Sequence, residues 1–142
     1  MTQREIVLAS LAASNGASHS PVQIQKLLFL IDRNISGHVE GPHFKFEPYD
    51  YGPFDSTVYS VVDELTFSGL IEAVESGRCW KKFRLTSEGQ KIGNSLFESI
   101  EAPARKYIYD ASKFVLSLSF AALVSAIYEA YPDMKVNSVF RG

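Results

Sequence analysis

The sequence predicts an α+β fold, a winged helix-turn-helix with a C-terminal helical extension, and three observations support it. Apolar residues recur at helical spacing in three segments between residues 3 and 68. Two alternating segments, 70–75 and 80–85, follow the third helix and predict a β-hairpin, the wing. Helical spacing then resumes. The 142 residues are therefore predicted to form a single domain, with 3–90 as the winged-helix core and 91–142 as the helical extension.

Capping residues set the expected helix boundaries. Ser20 before Pro21 is an N-cap followed by a first-turn proline, and Asp55 is placed to cap the third helix. Gly69 can supply the left-handed residue that ends that helix. Helices are predicted over roughly residues 3–14, 21–35, 55–68, 86–100, 104–116 and 120–131, with Ser119 as the cap of the last.

The first predicted strand is Phe44–Tyr49, and Pro48 restricts it to the edge of a sheet. A turn at Gly52-Pro53 follows it. The predicted core stripe of the second helix leaves Gln25 and Lys26 off the buried face. That stripe consists of Ile24, Leu27, Leu28, Ile31 and Ile35.

Composition indicates a globular cytoplasmic protein that does not enter a membrane. Hydrophobic residues make up 46% of the chain and charged residues 21%, and the formal net charge is -2. The single cysteine, Cys79, cannot form an internal disulfide, as is usual in a reducing compartment. The first residues lack the pattern of a signal peptide, and the longest nearly apolar run, 114–128, is too short for a membrane span.

Residue spacing gives no support for catalysis, and we expect no catalytic residue, no metal and no cofactor. The sequence contains no phosphate-binding loop, nucleophile elbow or dinucleotide fingerprint. A metal site in the loop that carries His38, Glu40 and His43 is a minor alternative to a solvated loop.

DNA binding is conceivable through the wing but not through the third helix. The exposed positions of that helix carry three acidic residues and no lysine or arginine, which opposes major-groove binding. The wing is basic, and its residues could hold phosphates while a tryptophan stacks on a base. The candidate set is Arg78, Trp80, Lys81, Lys82 and Arg84. The simpler interpretation is an edge strand protected from aggregation by its charges.

Aromatic residues favour protein binding. Five rings occupy residues 44–54, of which Phe44 and Phe46 are expected in the core and three others are candidates for exposure. Burial of all five is the alternative. We expect Lys26 to pair with Asp50 or to donate to carbonyls of the turn. The predicted protein-binding set is Gln25, Lys26, Tyr49, Asp50, Tyr51 and Phe54.

The segment Ile24–Phe29, followed by Tyr51-Gly52-Pro53 and later by Leu85–Gly89, resembles the Panacea (SocA-like) domain and related phage-associated proteins. The resemblance covers about residues 3–90 and implies a non-enzymatic antitoxin or adaptor that binds a toxin, phage or defence protein. Tyr128–Pro132 is similar to this group as well.

The C-terminal helices are more apolar than one core face requires, which predicts a homodimer surface or a seat for a partner helix. The tail, residues 134–140, alternates weakly and is either a strand donated to another chain or a flexible end.

Overall fold

The computed structural model describes residues 1–75 and 81–140, which form an α+β fold that is mostly helical. The helices are α1 (Gln3–Ala12), α2 (Pro21–Ile35), α3 (Ser56–Phe67), α4 (Ser87–Glu98), α5 (Ala102–Ser117) and α6 (Phe120–Ala130). The strands are β1 (Glu47–Tyr49), β2 (Gly52–Phe54), β3 (Ile71–Glu75) and β4 (Lys81–Leu85). Short 3₁₀-helices cover Ser36–Val39 and Pro132–Lys135. None of the helices described has the length and apolar character needed to cross a bilayer.

Side-chain caps begin five of the six helices described. Thr2 and Ser20 each form a capping box at α1 and α2, and Asp55, Thr86 and Ser119 accept main-chain N–H bonds at α3, α4 and α6. The predicted caps at Ser20, Asp55 and Ser119 are therefore confirmed. These caps are local devices, which is why sequence alone locates them.

The β3–β4 hairpin forms as predicted, with Ile71 opposite Leu85, although its connection at residues 76–80 lies outside the described part. The loop before α2 also joins this hairpin. The main chains of His19 and Phe83 exchange two hydrogen bonds of 2.8 Å each. This pairing holds β4 against the beginning of α2.

A second hairpin, β1–β2, corrects the prediction of one longer strand followed by a turn. β1 begins only at Glu47, and Gly52-Pro53 belongs to β2. Pro48 lies opposite Pro53 in the register, so two residues without an N–H face each other across the ladder. Prolines that separately suggest an edge and a turn are thus accommodated together in one short hairpin.

The core lies between α1, α2 and α3, with α4 and α5 packed on its outer sides. The four inward residues predicted for α3, Val58, Val61, Val62 and Leu65, are all buried. The prediction that Gln25 and Lys26 lie off the buried face of α2 is wrong. Both are buried, with 1% and 3% of their surface exposed, because β2 packs on the side of α2 that carries them.

Candidate functional site

The aromatic turn, which we define as residues 49–54, is fastened to α2 by two buried polar side chains. Gln25 Nε2 donates to the Asp55 carbonyl at 2.9 Å, and Gln25 Oε1 accepts from the Asp55 N–H at 3.1 Å. Lys26 Nζ donates to the Pro53 carbonyl at 3.2 Å. Of the two expected partners of Lys26, the structure selects a carbonyl rather than Asp50. Gln25 and Lys26 therefore hold the turn from the protein interior and do not face solvent.

Burial also changes the chemistry of Lys26. Removal of the ammonium from water lowers the pKa of Lys26 from 10.5 to about 8. The ammonium is still the majority form near neutral pH, and it gives the Pro53 carbonyl a charge-assisted donor. A buried cation with one hydrogen bond is expected to order the turn at a cost in folding stability.

The five rings divide between core and surface. Tyr49 and Tyr51 are exposed, at 54% and 44% of their surface, while Phe54 is half-buried. Phe44 is buried, and Phe46 packs edge-on against Phe29 at 5.6 Å between centroids. The expectation is confirmed for Phe44 and for the two tyrosines, whereas Phe46 is half-buried and packs against the core. The alternative that all five are buried is wrong.

The two exposed tyrosines line different grooves. Tyr49 stacks on Phe54 at 5.1 Å between centroids and borders a groove of about 710 Å³, the Tyr49 groove. Tyr51 contacts Phe120 edge-on at 5.3 Å and borders a groove of about 770 Å³, the Tyr51 groove. The other described residues that line the Tyr51 groove are Ser20, Pro21, Val22, Lys81 and Lys82.

The Tyr51 groove unites residues from both predicted binding sets. Tyr51 comes from the protein-binding set, and Lys81 and Lys82 come from the nucleic-acid set. Arg84 does not line this groove and pairs instead with Glu72 at 2.8 Å. Arg78 and Trp80, the other members of the nucleic-acid set, lie outside the described residues.

Sequence reasoning misses the role of Phe120 at the groove. By its position this ring belongs to the apolar C-terminal helices, for which the sequence predicts a dimer surface. In the fold it is the first residue of α6 and is 46% exposed, directly beside Tyr51. The signal that could have found it is the Ser119 cap, which makes Phe120 the first residue of a helix. Helical side chains lean toward the N-terminus of their helix, so this ring extends past the helix end.

The C-terminal tail is bound to the turn of its own chain, which neither prediction for it anticipates. The Val139 N–H donates to the Asp50 carbonyl at 3.0 Å, and Ser138 Oγ donates to the same carbonyl at 3.2 Å. The Phe140 ring lies 6.2 Å from the rings of both Phe120 and Tyr128. The tail thus binds the aromatic turn at Asp50, in addition to the hydrogen bond that α2 makes at Pro53.

The loop that carries His38, Glu40 and His43 has these side chains directed to separate partners. His43 Nε2 lies 2.7 Å from the Val39 carbonyl, and His38 Nδ1 lies 3.8 Å from Glu101. Glu40 pairs with the N-terminal ammonium of Met1. Residues 1–75 and 81–140 contain no group of three or more His, Cys, Asp or Glu side chains placed to hold a metal ion, and these three side chains are not brought together.

Two comparisons with known proteins were negative: no protein-family model matches this chain, and no curated protein is significantly similar to it.

Proposed function

We propose that this protein is a non-enzymatic, cytoplasmic binding module of the antitoxin-like, phage- or defence-associated kind, and that it recognises a protein partner through the aromatic turn. The single observation that carries the proposal is the exposure of Tyr49 and Tyr51 on a hairpin whose main chain is hydrogen-bonded from beneath. Exposed rings on a fixed backbone give contact area at small entropic cost.

Within this proposal Gln25 and Lys26 are positioning residues. Their burial leaves no surface for a partner to touch, and their hydrogen bonds end on the main chain of Pro53 and Asp55. Asp50 lies at the tip of the hairpin with an exposed side chain, so it stays in the proposed contact set with the two tyrosines and Phe54.

The order of elements from α1 to β4 supports a winged-helix arrangement, because a hairpin follows three helices and its second strand pairs with the loop before α2. A homodimer through the C-terminal helices is a further proposal. Its support is the exposure of Tyr109 and Phe114 on α5, at 48% and 40% of their surface.

Affinity purification from the native host, followed by mass spectrometry, identifies the partner. Tyr51→Ala should then weaken capture of that partner while leaving the thermal unfolding transition in place, because the ring is at the surface. Phe67→Ala, which removes an exposed ring at the end of α3, is the control. Equal capture by Tyr51→Ala and the native protein would rule out this site assignment.

DNA regulation through the β3–β4 hairpin is the second candidate function. It is favoured by Lys81 and Lys82, neither of which has a carboxylate within 4.0 Å among the described residues. It is opposed by the pairing of Arg84 with Glu72 and by the exposed Asp63 and Glu64 on α3.

A DNA mobility shift tests this second function. Binding should weaken steeply with salt, because phosphate contacts release counterions. It should disappear in the double variant Lys82→Glu with Arg84→Glu, because the reversed charges repel phosphates. Absence of any shift, or a shift that does not depend on salt, eliminates the DNA function.

A further inference from the structure

We propose that the Tyr51 groove binds a segment of the partner protein in which a large apolar side chain is flanked by carboxylates. This inference rests on the proposed function and gives it one of the two grooves and a partner chemistry. It follows from three properties of the groove: its apolar walls, its two lysines and the fixed elements that form it.

The walls of the groove are apolar and come from parts of the chain that are far apart in sequence. Tyr51 and Phe120 form one side, with their rings edge-on at 5.3 Å, and Pro21 and Val22 form part of the lining at the first turn of α2. The volume of about 770 Å³ is within the range of cavities that enclose ligands. An apolar side chain inserted there would be removed from water, which favours binding.

Two parts of the groove, β4 and the hairpin that carries Tyr51, are held in place by bonds that do not involve the groove itself. The His19–Phe83 main-chain pair fixes β4 beside α2, so Lys81 and Lys82 stay near the groove. Gln25 and Lys26 fix the hairpin that carries Tyr51. A site held in this way loses little conformational freedom when it is occupied.

The charges at the groove are positive. Lys81 is exposed and Lys82 is half-buried, and no carboxylate among the described residues lies within 4.0 Å of either ammonium. The N-terminus of α2, at Pro21, adds a positive partial charge of the helix dipole. Acidic side chains on the occupant complement this potential.

The surroundings favour a protein segment over a nucleic acid. Phosphates lie every few ångströms along a strand, and a tight nucleic-acid contact needs several cations. Among the residues that the structure describes, two cations line this groove. On the far side of Pro21 the next cavity is lined by Asp63. A phosphate chain leaving the groove in that direction would meet a carboxylate, whereas a short acidic segment can end before it.

Peptide display on the intact chain tests this inference and does not require the partner to be identified first. A random peptide library selected on the immobilised native protein should yield sequences that combine Asp or Glu with one aromatic or large aliphatic residue. Synthetic fluorescein-labelled versions of the recovered peptides are then the probes for anisotropy titrations. Replacement of their Asp and Glu by Lys should reduce affinity by about tenfold or more.

Two groove variants and one matched control complete the test. Phe120→Ala and the double variant Lys81→Glu with Lys82→Glu should each weaken the probes by about tenfold or more. The control is Lys91→Glu with Lys113→Glu, two exposed lysines on α4 and α5, which makes the same change in net charge and should leave binding unaltered. Circular dichroism melting verifies that each variant is folded.

The results separate this inference from the proposed function. If Tyr49→Ala abolishes peptide binding and Phe120→Ala does not affect it, the proposed protein-binding function stands and the assignment to the Tyr51 groove is overturned. Selection of basic peptides, or of none, overturns the partner chemistry. A labelled dT12 oligonucleotide is the nucleic-acid probe. If it binds more tightly than the selected peptides, and if this binding is lost in the Lys81→Glu, Lys82→Glu variant, the occupant is a nucleic acid and the proposal is overturned.

Discussion

Gln25 and Asp55 are joined by a reciprocal pair of hydrogen bonds, in which the side-chain amide of one residue pairs with the main chain of the other at 2.9 and 3.1 Å. The amide pairs with both main-chain groups of Asp55, as a neighbouring strand would. Asp55 directly follows β2 and caps α3. One buried side chain therefore fixes α2, the aromatic turn and the beginning of α3 relative to one another.

Gln25→Met should lower the free energy of unfolding by about 1–3 kcal/mol, because the Asp55 N–H loses its partner while the shape of the side chain is nearly kept. Urea denaturation measures this change. Hydrogen exchange at the Asp55 amide should accelerate in the same variant. Unchanged exchange there would show that the amide pair does not order the turn.

Lys26 should make the stability of the protein increase between pH 8 and pH 10.5. Its pKa is lowered from 10.5 to about 8 by burial, so the unfolded chain binds more protons than the folded chain within that interval. Unfolding free energy should rise by about 2 kcal/mol over the first one and a half pH units, and Lys26→Met should not show this rise.

The control for this experiment is Lys91→Met, which removes an exposed lysine on α4. Its stability should follow the pH curve of the native protein. Parallel curves for the native protein and Lys26→Met would mean that Lys26 is not held as a buried amine.

His19 should make the protein less stable in mild acid. The side chain is fully buried, and burial lowers the pKa of His19 from 6.5 to about 4, with the charge of Lys82 acting in the same direction. The unfolded chain therefore takes up a proton before the folded chain does. Stability that is complete above pH 6.5 should decline by about 3 kcal/mol as the pH approaches 4.

His19→Leu isolates this contribution, since the other two histidines remain in both proteins. The difference in unfolding free energy between the native protein and the variant should change across the interval from pH 6.5 to 4. A constant difference would contradict a neutral, buried imidazole.

Gly93 lets α4 approach α1 closely, and Gly93→Ala should destabilise the fold. A Cβ at this position would lie 2.7 Å from the Leu8 carbonyl oxygen, which belongs to the main chain of α1 and cannot rotate away. Overpacking of this kind costs about 1–3 kcal/mol. Thermal melting compares it with Gly37→Ala, which has no atom within 4 Å of the added Cβ and should melt like the native protein.

Local sequence signals locate most of the helices and the β3–β4 hairpin. The caps Ser20, Asp55 and Ser119 and the left-handed Gly69 act within a few residues of themselves, so their effect is visible in the sequence. The β1–β2 hairpin escapes prediction because it has three residues per strand, too few to establish an alternating pattern.

The sequence by itself determined the α+β class, the helix boundaries and the presence of a ring-rich turn near residue 51. Only the tertiary structure decided that Gln25 and Lys26 are buried, that Phe120 lies beside Tyr51, and that the tail binds Asp50. Helical periodicity describes one face of a helix, whereas α2 is covered on two sides, by the core and by β2. Contacts between residues far apart along the chain depend on how the helices and hairpins pack together. The spacing of residues within one helix or strand does not predict that packing.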